Sequence, residues 1–92
     1  MPYIKQEERA EIEPNLPIYV GTAGKLNFLI TRLVSQYIKN QGKNYAILNE
    51  AIGVLECVKL ELYRRIVSPY ENTKMAENGD VYFEIFSGTN NG

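Results

Sequence analysis

An all-α fold, mainly an antiparallel helical hairpin, is what this 92-residue sequence predicts, and three observations predict it. The run from Asn44 to Val67, NYAILNEAIGVLECVKLELYRRIV, contains no proline and repeats its apolar residues at helical spacing. A second run, Lys25 to Asn40, does the same. The connector between them, Gln41 to Lys43, is too short to join anything but antiparallel neighbours. A single small domain over 1–92 is expected, with a short N-terminal helix before the hairpin, an extended C-terminal arm after it, and 87–92 as a flexible tail.

The long helix organises the rest. Leu48, Ala51, Leu55, Val58 and Leu62 recur at steps of three and four, with Ile52 and Ile66 beside them, so this stripe is expected to be the core. Asn44 is a favoured N-cap, because its side-chain oxygen accepts from an otherwise orphaned N–H of the first turn. Pro69 is expected to end the helix by biasing Ser68 away from the α region, while Arg64 and Arg65 suit the negative end of the helix dipole. A second stripe, Asn49, Gly53, Glu56, Leu60, Tyr63 and Val67, is mixed in character. Glycine inside a helix costs about 1 kcal/mol against alanine, and close approach by another backbone or a ligand is a common compensation. Asn49, Gly53, Glu56 and Leu60 are therefore the candidate oligomer interface.

Taken in order, Lys5 to Glu13 is charge-dense and reads as a short helix closed by Pro14. The connector that follows holds Leu16, Ile18, Tyr19 and Val20 between prolines and glycines, and those apolar residues are expected to be buried. GTAGK does not fit a phosphate loop: two residues separate Gly21 and Gly24 where four are needed, and Leu26 follows Lys25 where a metal-binding hydroxyl should stand. It reads as a turn feeding a helix N-terminus. The helix itself carries Leu26, Leu29, Ile30, Leu33, Tyr37 and Ile38 on one side, and Gly42 is its expected left-handed stop. Beyond Pro69, Asn78-Gly79-Asp80 signals a turn, and VYFEIF alternates as a strand or an ordered arm would.

Composition narrows the function classes. Ten Lys+Arg against 11 Asp+Glu give a net charge of −1, which argues against nucleic acid as a partner, although not against a local basic patch. One cysteine and no histidine exclude an internal disulfide framework and a conventional zinc site built from one chain, so no metal or cofactor is expected. Cys57 is expected to be a small packing residue. The N-terminus MPYIKQEERAE has no apolar h-region, and no run approaches a membrane span, so the chain reads as soluble and cytoplasmic, with no membrane partner.

The segments LNFLITRL, YAILNEAIGVLECVKLELYRRIVSPYE, Lys74 and ENGDVY together resemble a family of short, functionally unassigned proteins from bacteria and their phages or prophages, over Leu26 to Tyr82. The connector Pro14 to Gly24 and the closing FEIFSGTNNG lie outside that resemblance. It implies a mobile-element context and brings no chemistry.

Within the resembling block, Lys59, Tyr63, Arg64, Arg65, Tyr70, Lys74 and Asn78 gather near the end of the long helix and just after it, and these are the candidate ligand-binding residues. Arginine forks and tyrosine faces serve phosphate and base recognition, and serve protein interfaces equally. A plainer alternative is that Arg64 and Arg65 cap the helix and pair with Glu61 or Glu71. No pair of titratable groups suited to acid–base catalysis is apparent, so no enzyme is expected and no catalytic residue is assigned. The leading expectation is a homo-oligomer that sequesters an anionic small molecule, such as a signalling nucleotide, in the manner of a phage counter-defence protein. The alternatives are an inhibitor or adaptor docking a host or phage protein, and a DNA-binding regulator.

Overall fold

Thr22 and Asn44 set the starts of the two principal helices, each through its own side chain. In the computed structural model, which describes residues 2–82, 84 and 85, Thr22 Oγ1 accepts from Lys25 N–H at 3.2 Å and opens α2, Ala23–Gln41. Asn44 Oδ1 accepts from Ile47 N–H at 3.0 Å and opens α3, Tyr45–Leu62. The Asn44 cap follows the sequence reading, and GTAGK is the turn that feeds a helix, with Thr22 as a cap the sequence reading did not name. Ahead of them, α1 spans Gln6–Ile12 and tightens into a 3-10 turn, Glu13–Asn15, around Pro14. The fold is all-α, with no strand among the described residues.

The chain divides into two units, residues 1–58 and 59–92. In the first, Gly42 closes α2 by donating its N–H to Ile38 O at 2.9 Å, with φ +94° and ψ 128°. Positive φ is what an L side chain resists, although this ψ lies outside the left-handed helical region the sequence suggested. Tyr37 Oη then donates to Glu50 Oε1 at 2.7 Å, joining α2 to α3 at comparable distances either side of the connector, as antiparallel neighbours require.

Burial departs from the expected pattern. Ala51 is the one buried apolar residue among the described residues, at 5% exposure, with Leu29, Val34, Ile38 and Ile47 half-buried. The expected core residues Leu48, Ile52, Leu55, Val58, Leu62 and Ile66 are exposed, as are Leu26, Ile30, Leu33 and Tyr37 of α2. Two helices cover only a narrow line of each other, and a broad apolar stripe needs more neighbours than one partner helix supplies. Leu16, Ile18, Tyr19 and Val20 of the connector are exposed too, against expectation, because nothing in the unit folds over them. Cys57 carries a free, exposed thiol instead of packing.

In the second unit the helix does not stop at Pro69. A π-helical segment, Tyr63–Val67, leads directly into α4, Ser68–Asn78, and Ser68 has φ −62° and ψ −47° despite preceding proline. The Ser68 N–H reaches back to Tyr63 O, five residues earlier, so the helix effectively restarts. Pro69 then falls in the first turn of α4, where its missing donor leaves no bond unmade. The stretch between Pro69 and the Asn78-Gly79-Asp80 turn, to which the sequence reading assigned no element, is therefore helical up to Gly79, whose φ is +94° and whose N–H bonds Met75 O at 2.8 Å. Val81 and Tyr82 form a turn where a strand was considered, and Phe83, Phe86 and the tail 87–92 lie outside the described residues.

Candidate functional site

The π-helical segment determines which side chains meet on the second unit. In an uninterrupted α-helix, residues seven apart share a face. One extra residue in the turn moves that register to eight. Tyr63 accordingly pairs with Glu71, its Oη donating to Oε1 at 2.7 Å, and not with the Tyr70 face seven residues on. That bond, foremost, and the Glu71 charge next raise the Tyr63 pKa above its usual 10.0, so the hydroxyl stays a donor at neutral pH.

Gly79 reverses the chain after α4, and Asp80 Oδ1 fixes the reversal by accepting from Tyr82 N–H at 2.8 Å. The result is a groove of about 500 Å³ lined by Tyr63, Glu71, Asn72, Lys74, Met75, Asn78 and the turn Gly79 to Tyr82. Of the seven candidate ligand-binding residues, Tyr63, Lys74 and Asn78 line this groove, whereas Lys59, Arg64, Arg65 and Tyr70 do not. Arg64 is engaged by Glu61 at 2.6 Å, which the plainer sequence alternative anticipated. Lys74 lies 5.6 Å from the Tyr70 ring centroid and 3.5 Å from Glu77 Oε1. Both contacts are along the helix surface and solvent-exposed, the kind of pairing that adds at most about 1 kcal/mol.

Sequence reasoning missed Glu71, Asn72 and Tyr82 as groove residues and left Asp80 out of the site. The Asn78-Gly79-Asp80 turn was the available signal, since a reversal there must fold the following residues back onto α4. Chemically the groove offers two phenol rings, two amides, one ammonium and two carboxylates, a set suited to holding a polar ligand with a flat ring. The carboxylates of Glu71 and Asp80 weaken its pull on anions, so a strongly anionic ligand needs cations from outside the lining. Among the described residues no group of three or more His, Cys, Asp or Glu is placed to hold a metal ion, and no helix is long and apolar enough to cross a membrane.

The candidate oligomer-interface residues Asn49, Gly53, Glu56 and Leu60 are all exposed on α3, and a Cβ built on Gly53 meets nothing within 4 Å. No close neighbour within the described chain accounts for that glycine.

No curated protein and no solved structure matches the chain. Residues 1–81 do match one family, which takes in the N-terminal helix and the connector that the sequence resemblance had left out. On that match the chain belongs to the family described as a domain of unknown function, DUF6899.

Proposed function

We propose that this protein is a self-associating binding protein. The observation that carries the reading is the mismatch between apolar content and burial: one buried apolar residue, Ala51, against large apolar side chains exposed from Tyr3 to Ile85 among the described residues. The Asn49–Gly53–Glu56–Leu60 line on α3 is the proposed seam between copies, with the neighbouring stripe of Leu48, Leu55, Val58 and Leu62 covered in the same assembly.

The proposed cargo is an anionic small molecule with a flat ring, such as a signalling nucleotide. Tyr63, Lys74 and Asn78 supply the groove that would receive the ring, and Lys59, Arg64, Arg65 and Tyr70 supply charge and aromatic surface nearby in the same unit. Because the groove's own lining carries two carboxylates, the anionic part is assigned to arginines contributed across a subunit boundary. The proposed setting is cytoplasmic, as a counter-defence accessory of a phage or other mobile element. Docking of a host or phage protein is the second reading, favoured by the exposure of Tyr19, Tyr45 and Tyr70, since tyrosine is a preferred interface anchor.

Thermal shift and calorimetry with a panel of cyclic and linear nucleotides test the first reading. The expected result is a rise of several degrees with one member of the panel, and at least tenfold weaker binding for Arg64→Ala and Arg65→Ala with helicity unchanged. No response across the panel, together with a stoichiometric protein captured from infected cells, would overturn it in favour of docking.

A further inference from the structure

The connector before α2 presents an apolar knob beside an apolar groove. Ile18 is fully exposed, at 105%, while Pro17, Tyr19, Val20, Phe28 and Leu29 line a concavity of about 440 Å³ in the same unit, with Lys25 the one charged residue on its rim. A loose loop would be expected to turn such a side chain inward. The segment is anchored on both sides. Leu16 N–H bonds Glu13 O at 3.1 Å, and Thr22 caps the helix that follows. Between them the Tyr19 ring lies directly on Gly21, where a Cβ would stand 2.6 Å from Cε1, a separation real Cβ atoms do not show. Only glycine at position 21 lets the ring lie there, and the ring is one wall of the groove.

Resting on the reading that the chain self-associates, we propose that Ile18 of one copy seats in the Pro17–Tyr19–Val20–Phe28–Leu29 groove of a second copy. The contact would be two-fold and self-complementary, distinct from the α3 seam. Two features point to a second copy as the occupant. Knob and groove occur side by side on one surface, which a two-fold axis brings together in pairs. The groove's near-absence of charge suits an aliphatic side chain and offers nothing to an acidic or basic peptide. A contact here in addition to the α3 seam would build an assembly larger than a dimer.

The test compares the wild-type chain, Ile18→Asp and Phe28→Arg by multi-angle light scattering and sedimentation over a hundredfold concentration range, with circular dichroism as the folding control. Both substituted side chains are well exposed in the single chain, so helicity is expected to persist while association weakens at least tenfold or the assembly drops to a smaller species. A second arm mixes an Ile18→Cys chain with a Phe28→Cys chain, both carrying Cys57→Ser, under mild oxidation. The expected product is a mixed disulfide between the two chains. A wild-type assembly whose mass is unchanged by Ile18→Asp, or a cross-link that forms only between two Ile18→Cys chains, overturns this proposal and leaves the α3 seam standing. A wild-type monomer at every concentration overturns self-association as a whole.

Discussion

Leu55→Ala separates a chain that is complete alone from one completed by its copies. Leu55 belongs to the α3 stripe, and in the single chain it is 36% exposed, so roughly two-thirds of its surface is covered. Truncation to alanine removes three carbons, worth about 2.4 kcal/mol if wholly buried, at about 0.8 kcal/mol per carbon. Scaled by the coverage seen in one chain, the loss is about 1.5 kcal/mol, and an open flank lets water fill the gap, so no cavity term is added. If a second copy covers that flank, the burial is complete and a cavity is left behind, giving about 2–5 kcal/mol. Urea unfolding at two protein concentrations a hundredfold apart reads both quantities. The account predicts the larger loss and a midpoint that rises with concentration, because association adds to apparent stability by mass action. A loss near 1.5 kcal/mol with coincident curves would refute the reasoning and leave the α3 stripe as a solvated face.

Gly53→Ala discriminates in the opposite sense: with open space around Gly53 in one chain, alanine should stabilise an isolated helix by about 1 kcal/mol, whereas a covered seam predicts weaker association, read by sedimentation. Gly42→Ala should cost more than about 1 kcal/mol in chemical unfolding, because φ +94° is strained for any L side chain even though the space around it is empty. Tyr63, held protonated by Glu71, should ionise above the usual 10.0 in an absorbance titration at the tyrosinate band, and Tyr63→Phe should remove that late component. The sign follows from proton binding: a folded-state pKa raised above the unfolded one stabilises the fold below the unfolded value, and that contribution is lost as pH climbs through the folded value. Tyr37, raised in the same way by Glu50, should behave alike, and Glu50→Gln should return it towards 10.0.

The parts of this fold that were legible in the sequence are those decided by local chemistry. Thr22 and Asn44 each carry a side-chain acceptor where a helix begins, and Gly42 and Gly79 each supply a positive φ where one ends. Such choices depend on residues a few positions away, so one chain contains all the information. Pro69 misled because a proline breaks a helix only in its interior, where an i−4 bond is lost and the ring meets the i−4 carbonyl, whereas here it falls in the first turn of α4. The π-helical segment supplies an i−5 bond instead, and its formation depends on the whole stretch from Tyr63 to Ser68. The same extra residue hid the site: Tyr63 and Tyr70 were placed in one patch by their nearness in sequence, whereas the inserted residue aligns Tyr63 with Glu71. Burial was the least legible feature. Periodicity at Leu48, Leu55, Val58 and Leu62 identifies a face that wants cover, and it cannot say whether the cover belongs to the same chain. The connector residues Ile18 and Tyr19 were expected to be buried on the same grounds, and their exposure carries the same message.

The most direct test of the central claim is the mass of the native protein in solution, measured by multi-angle light scattering at micromolar concentration and again after serial dilution. Self-association predicts a discrete multiple of 10.5 kDa that dissociates only on dilution or on charging the α3 seam, for example with Leu55→Glu. A species of 10.5 kDa at every concentration, with an unfolding midpoint that does not move, would contradict it.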